Sequence, residues 1–219
     1  MGSPAWFDEH HDSVTVTGAD ATTYLQSQLS QGILDLAVGD ARWTFLLEPT
    51  GKVAVLARVT RVDDDSYRLD TDAGFGEALL ARINRFKIRV RADVELTESD
   101  ATAPDDAAES DRIEAGWPRM GAEIVAGETI PVETGLNQVA VDFKKGCYPG
   151  QELVERMDSR AAVAPRSLRR LDVAAGAVAG DPILDADGNA VGVLTSVSGT
   201  RALGYVKRNA DIGELVTHS

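Results

Sequence analysis

Hydrophobic and polar residues in the first part of the chain follow periods that distinguish strands from helices. Strands are predicted where apolar residues alternate with polar ones or form short runs, at residues 14–17, 42–47, 53–62 and 67–71. A helix is predicted after the first strand, with Asp20 as its N-cap and Gly32 at its end. Its apolar stripe consists of Tyr24, Leu25 and Leu29. Strands and helices in this order predict an α+β fold.

A second helix is predicted at about residues 76–85, followed by a strand at residues 86–91. The alternation in this strand is strict and places three cations on one face: Lys87, Arg89 and Arg91. Such a face is typical of the solvated outer side of a sheet. The alternative is that the three cations line an anion-binding site.

The composition changes after residue 96. Residues 97–111 contain six acids and no base, among Ala, Thr, Ser and Pro residues, which predicts an acidic linker or long loop. Residues 112–166 are predicted to form a second α+β segment that ends in a helix at about residues 150–157.

The last part of the chain, residues 167–219, contains short β-rich pieces separated by turns with Gly and Asn. These pieces are residues 168–173, 190–198 and 202–206. The pattern is expected of a small antiparallel barrel or sandwich. Four parts are therefore predicted: 1–96, 97–111, 112–166 and 167–219.

Composition excludes several classes of protein. The 219 residues are 43% hydrophobic, which is enough for at least one core. No run reaches the length of a membrane span, and residues 1–10 lack the basic and apolar regions of a signal peptide. We therefore expect a cytoplasmic protein with no membrane partner.

The chain contains one cysteine and three histidines. One cysteine cannot form an internal disulfide or a Cys-rich metal site, and the histidines are expected to be surface residues. No metal site within the chain is predicted. Any bound iron–sulfur cluster would have to be shared with another chain.

The formal net charge of -13 argues against a general nucleic-acid binder, which would need clustered cations to contact phosphates. The charge is unevenly distributed. Residues 142–170 carry seven bases and four acids. An anionic ligand is therefore expected to bind in this part of the chain.

Cys147 lies within this basic stretch, just before the predicted helix. Gly146 and Gly150 permit a tight turn or a close approach to a ligand, and Pro149 can begin the helix. The helix N-terminus and the lysines at 144 and 145 favour a thiolate, which Glu152 and Glu155 would oppose if they lie close. The alternative is a buried cysteine that acts as a small hydrophobic residue.

The segment Lys145-Gly-Cys-Tyr-Pro-Gly-Gln-Glu152 matches the signature K-G-C-(F/Y)-x-G-Q-E of the YgfZ family. These folate-binding proteins support the maturation of iron–sulfur enzymes, and they resemble the T-protein of the glycine cleavage system, a tetrahydrofolate-dependent aminomethyltransferase. The resemblance implies that Cys147 is the catalytic residue. The other motif residues are Lys145, Gly146, Tyr148, Gly150, Gln151 and Glu152.

The resemblance covers most of the chain. Residues 16–26 are similar to the family's first strand-to-helix element, and residues 49–52 to its following turn. Residues 112–116 resemble the R-x-E-A-G element of the aminomethyltransferases, whose glutamate binds the pterin ring. The cofactor-binding residues implied by the resemblance are Glu114, Arg112, Arg156 and Tyr24, with Arg160 and Arg166 as weaker matches. The alternatives are a surface glutamate and ordinary salt bridges.

The implied fold is the GcvT-like folate-binding fold, with antiparallel sheets and helices and a small C-terminal β-barrel. The implied cofactor is tetrahydrofolate or a derivative, bound in a central hole that Cys147 faces. The implied function is assembly or repair of iron–sulfur clusters in client enzymes, with client or assembly proteins as partners. Because the chain is short for the family, the folate pocket is expected to be shallower or shared with another subunit.

Two alternative functions follow from the same resemblance. A folate-dependent aminomethyltransferase or demethylase would need a pair of aspartates where residues 51–56 are apolar apart from Lys52. A folate-binding scaffold without catalysis would not need Cys147.

Overall fold

The computed structural model describes Phe7 and residues 11–99, 106–159 and 164–212. Its N-terminal part is an antiparallel sheet in the order β2-β3-β4-β1-β5. The strands are β1 His11–Thr17, β2 Ala41–Leu47, β3 Val53–Asp63, β4 Ser66–Asp72 and β5 Asp93–Thr97. The α+β fold with antiparallel sheets is confirmed.

Two helices, α1 Ala21–Gln28 and α2 Gly76–Asn84, cover one face of this sheet. Alternate residues of β2 belong to different cores, because side chains along a strand point to opposite faces. Leu46 packs in the core beneath the helices, whereas Phe45 and Leu47 pack on the other side of the sheet.

The start and end of α1 differ from the prediction. Asp20 occupies the N-cap position, but its carboxylate makes no capping hydrogen bond. It accepts from the backbone N–H and the guanidinium of Arg91 instead. The helix ends at Gln28, with Leu29 as C-cap in extended conformation, so Gly32 does not end it.

The predicted strand at residues 86–91 is wrong. Turns follow α2, with Lys87 N–H donating to the Asn84 carbonyl and Arg89 at φ +57°. The chain must reverse here so that β5 can pair with β1. Gly18 accommodates the crossing, because a Cβ at Gly18 would lie 2.6 Å from the Arg91 carbonyl oxygen.

The opposite face of the sheet is covered by residues of the middle of the chain, including α4 Asn137–Ala140 and α5 Gln151–Ser159. The middle of the chain also contains α3 Asp106–Ala115, which packs on β8 and β9, and a 3-10 helix Pro131–Thr134. The core on this side contains a row of aromatic rings. Trp43 lies between Phe7 and Trp117, with ring centroids 4.7 Å and 4.8 Å apart.

The acidic linker predicted at residues 97–111 is only partly compatible with this structure. Thr97 ends β5, and the acids from Asp106 to Asp111 lie within α3. Residues 100–105 lie outside the described residues. Asp106 and Glu109 occupy the first turn of α3, where the helix dipole favours negative charge.

The C-terminal part is a four-stranded antiparallel sheet in the order β6-β9-β8-β7. Its strands are β6 Arg166–Asp172, β7 Pro182–Leu184, β8 Ala190–Ser198 and β9 Arg201–Lys207. Within the described residues the edge strands β6 and β7 do not pair, so the sheet is open where a closed barrel was predicted.

The predicted boundaries of the four parts stay predictions. None of the helices among the described residues has both the length and the apolar character needed to cross a membrane.

Candidate functional site

The motif residues form one compact turn, Lys145–Glu152, which we name the cysteine turn. Its first residue is held by the chain around the end of α1. The Lys145 Nζ donates to the carbonyls of Gln26 and Leu29, at 2.6 Å and 2.5 Å, and to that of Gln31 at 3.2 Å. Burial lowers the pKa of Lys145 to about 8, with the charge of Asp142 acting in the opposite direction. Lys145 therefore fixes the position of the turn.

A close backbone approach holds the other end of the cysteine turn. Gly150 has φ +83°, and a Cβ there would lie 2.5 Å from the Glu48 carbonyl oxygen. Gly51 faces it from the β2–β3 turn at φ +84°, where a Cβ would meet the Leu153 side chain. Only glycines permit this contact without strain. Gly146 is different, since a Cβ there would meet no atom within 4 Å.

Tyr148 and Gln151 determine the position of Cys147 between these two ends. Tyr148 is buried in the aromatic core, and Gln151 Oε1 accepts a hydrogen bond from its backbone N–H at 2.9 Å. The other end of the Gln151 amide contacts the cysteine, with Nε2 lying 3.9 Å from Sγ. Cys147 itself is exposed. The alternative of a buried cysteine is therefore wrong.

Charged residues lie near Cys147 along the chain. α5 begins at Gln151, and Lys144 is exposed two residues after Asp142. Glu152 lies in the first turn of α5. Arg156, predicted to bind the cofactor, is exposed on the same helix.

Arg112 lies elsewhere, in a buried cluster between α3 and the C-terminal sheet. Its guanidinium is 1% exposed and donates to Glu109, Glu123, Ser196 and the Trp117 carbonyl. We name this set of residues the Arg112 cluster. Glu123 also accepts from the hydroxyls of Thr195 and Ser196, so the cluster joins the two parts of the molecule.

Glu114 lies at the end of α3 and faces the C-terminal sheet. Its carboxylate is about half exposed, with its oxygens 3.4 Å from Arg170 and 3.5 Å from Arg201. Tyr24 lies in the core beneath the helices, where its hydroxyl donates to the Ile83 carbonyl. Burial raises the pKa of Tyr24.

The predicted cofactor residues therefore occupy different parts of the molecule. Arg112 and Glu114 both lie on α3, and Glu114 contacts two arginines of the C-terminal sheet. Tyr24 contacts α2, and Arg156 shares α5 with the cysteine turn. Their hydrogen-bonding groups have different neighbours, and their joint role in folate binding stays a prediction. Of the four, Glu114 has the accessible carboxylate that a pterin would need.

Two features were not predicted. One is Glu123, which has no local sequence signal because several of its partners lie at residues 195–205, far along the chain. The other is a cavity of about 320 Å³ beside α2, lined in part by Glu48, Arg82 and Arg85. The spacing of Ala78, Ala81, Arg82 and Arg85 places all four on one helix stripe and could have indicated it.

Comparison with known proteins supports the resemblance. No protein-family model matches the chain. A mitochondrial iron–sulfur cluster assembly factor IBA57 homologue of Neurospora crassa is 38% identical over 74 residues, which are 33% of this chain and 17% of that protein. The tRNA-modifying protein YgfZ of Shigella sonnei is 27% identical over 68% of this chain and 65% of its own length. The chain thus matches less than two thirds of either relative.

The fold has a close counterpart among solved structures. The crystal structure of the glycine cleavage system aminomethyltransferase T from Bartonella henselae superposes with a TM-score of 0.78, covering 91% of this chain and 76% of that one, at 18% identity. This likeness establishes a GcvT-like fold. The chain is thus similar in sequence to YgfZ and IBA57 proteins and shares the fold of aminomethyltransferase T, which confirms the resemblance predicted from the cysteine motif.

Proposed function

We propose that this chain is an accessory protein for the assembly or repair of iron–sulfur clusters in client enzymes, with Cys147 as its acting residue. The observation that carries the proposal is the exposed thiol at the apex of a turn whose two ends are fixed. The IBA57 relatives, which are named as iron–sulfur cluster assembly factors, support the same role.

The chain's own residues position the thiol. Lys145 and Gly150 fix the turn, Tyr148 holds it to the core, and the Gln151 amide can donate to a negative sulfur. An exposed thiolate can bind iron or sulfur transiently, accept a one-carbon unit, or undergo redox exchange. Because the sequence contains one cysteine, the remaining ligands of any cluster come from a client or assembly protein.

Tetrahydrofolate, or a derivative, is the proposed cofactor. Glu114 would hold it, because its accessible carboxylate can accept two N–H bonds from a 2-aminopteridine edge. A tetrahydrofolate cofactor would supply one-carbon chemistry. Calorimetric titration of the chain with tetrahydrofolate tests this part, with Glu114→Ala expected to lose the binding heat. Absence of heat with the unmodified chain would contradict folate binding.

The role of Cys147 is tested in cells that lack their own copy of the gene. Cys147→Ser is expected to abolish rescue of iron–sulfur enzyme activity while the protein stays folded. Thr200→Ala is the control, because Thr200 is exposed in the turn between β8 and β9 and lies outside the cysteine turn, and it is expected to rescue fully. Full rescue by Cys147→Ser would contradict the proposal and favour a non-catalytic scaffold.

An aminomethyltransferase or demethylase is the second candidate, and the GcvT-like fold favours it. In the structure, Val53, Val55 and Leu56 are buried apolar residues at the start of β3, where an aminomethyltransferase would need the aspartate pair. Turnover of a methylamine donor would establish this activity. The cytoplasmic location stays a prediction.

A further inference from the structure

The cavity beside α2 has the construction of a ligand site. Its volume of about 320 Å³ lies within the usual range for small-molecule pockets. Four alanines line it: Ala54 from β3, Ala78 and Ala81 from α2, and Ala126 from the loop that follows α3. These small apolar side chains leave space for the flat or branched body of a ligand.

A buried cation lines the same cavity. Arg82 is 4% exposed, and its guanidinium donates to the Leu47 carbonyl and to the Gln28 side-chain oxygen. Both acceptors are neutral. Three of its five N–H bonds are used in this way, and the other two have no partner among the described residues.

Arg82 therefore lacks a hydrogen-bonded carboxylate among the described residues, although its guanidinium lies 4.9 Å from the centre of the Phe86 ring. Buried charges in proteins are normally paired, because removal from water is costly. Burial lowers the pKa of Arg82, with the charge of Glu48 acting in the opposite direction. The Glu48 carboxylate is itself engaged by Arg85, with Oε2 and Nη1 2.6 Å apart. The three ionised groups lining the cavity leave a net charge of +1.

We propose that this cavity, the α2 pocket, binds a small organic anion: a carboxylate carried on an apolar or aromatic body. The carboxylate would accept the remaining N–H bonds of Arg82, and the body would lie against the alanines. Glu48 also connects the pocket to the cysteine turn, since its carbonyl lies against Gly150. The inference does not depend on the function proposed for Cys147.

Benzoate is the probe, because it has one carboxylate on an aromatic ring. Benzamide has the same shape without charge, and inorganic phosphate has charge without an apolar body. Titrations of the whole chain followed by amide NMR shifts are expected to move the resonances of Ala81, Gly127 and their neighbours with benzoate. Benzamide and phosphate are expected to bind at least about tenfold more weakly.

Three variants locate the site. Arg82→Met is expected to weaken benzoate binding about tenfold or more. Ala81→Leu, at an exposed position of α2, is expected to fill the pocket and abolish binding without disturbing the fold. Lys87→Met is the charge control, since it removes one cation that does not line the cavity, and its benzoate affinity is expected to stay within about twofold.

Each result of these titrations supports or contradicts a specific part of the proposal. The absence of shifts at the α2 pocket with benzoate, or equal binding to Ala81→Leu, would overturn the proposal. Equal binding of benzamide or phosphate would overturn the proposed ligand class. Cys147→Ser is expected to bind benzoate like the unmodified chain, so failure of the cysteine hypothesis leaves this one intact.

Discussion

Arg112 and Arg82 are both buried, but their guanidinium groups have different partners. All five N–H bonds of Arg112 have acceptors, and three of them go to the carboxylates of Glu109 and Glu123. Arg82 donates three N–H bonds, all to neutral oxygens, and lies beside a cavity. Two arginines that are both buried therefore have different roles in this protein.

The pKa shifts of Arg112 and Arg82 have opposite directions, in agreement with this difference in partners. Burial acts to lower the pKa of Arg112, but the hydrogen bonds and charges of Glu109 and Glu123 outweigh it and raise the pKa above its usual value. Burial lowers the pKa of Arg82, and the nearby charges do not reverse the shift. A buried cation saturated by carboxylates indicates a structural role, whereas a buried cation without them, next to open volume, indicates a binding role.

The largest effect in this comparison is expected from Glu123. Its carboxylate is fully buried and accepts from Arg112, Thr195 and Ser196, so Glu123→Ala leaves several buried donors without a partner. We expect a loss of about 3–5 kcal/mol in the free energy of unfolding, measured by urea denaturation.

Glu109→Ala is the matched control, because it removes the other carboxylate partner of Arg112. The Glu109 side chain is 19% exposed, so water can replace it, and a loss of about 1 kcal/mol is expected. Equal losses in the two variants would contradict the view that Glu123 is the central acceptor of the Arg112 cluster.

A smaller effect is expected from Asp72, at the edge of the Arg112 cluster. Burial raises the pKa of Asp72 to about 6, although the Met120 N–H bond and the charges of Arg112 and Arg119 act to lower it. In the unfolded chain the carboxyl has its ordinary, lower pKa. Between about pH 4 and pH 6 the folded state therefore binds more protons, and ionisation of Asp72 reduces stability as the pH rises.

Asp72→Asn removes this titration while keeping an oxygen that can accept from the Met120 N–H. The stability of the unmodified chain relative to Asp72→Asn is expected to fall by about 1–2 kcal/mol from pH 4 to pH 6 and to stay constant above about pH 7. Urea denaturation at several pH values measures this difference. A difference that does not change with pH would show that Asp72 is not desolvated.

Local sequence patterns predicted strands and helices correctly where the neighbouring residues determine the conformation. The strand predicted at residues 53–62 is observed at Val53–Asp63, and the helix predicted at about residues 76–85 at Gly76–Asn84. The alternation at residues 86–91 was equally regular and formed no strand. Its conformation depends on the pairing of β5 with β1 and on the contact of Arg91 with Asp20, which are tertiary.

The same division applies to the candidate site. The cysteine turn was predictable because its motif is contiguous in sequence. Gly150, which the close backbone approach requires, is part of that motif. The surroundings of Glu114 were not, because Arg170 and Arg201 come from strands far along the chain. The α2 pocket was predictable only in part. Its lining residues on α2 follow a helical spacing, but the loop residues 126–127 that complete the lining follow no sequence pattern.

The smallest effect on stability is expected from Glu48. Its ion pair with Arg85 is partly exposed, so Glu48→Gln is expected to change the free energy of unfolding by no more than about 0.5 kcal/mol. The same change removes the carboxylate that competes for Arg85 and raises the net charge of the α2 pocket from +1 to +2. Benzoate affinity is therefore expected to rise about two- to fivefold.

Asp35→Asn makes the same charge change in an exposed pair with Arg42, and is expected to leave benzoate affinity unchanged. Weaker binding to Glu48→Gln would mean that Glu48 orients Arg85 for the ligand rather than competing with it, and the pocket would then resemble the Arg112 cluster, where carboxylates fix the arginine.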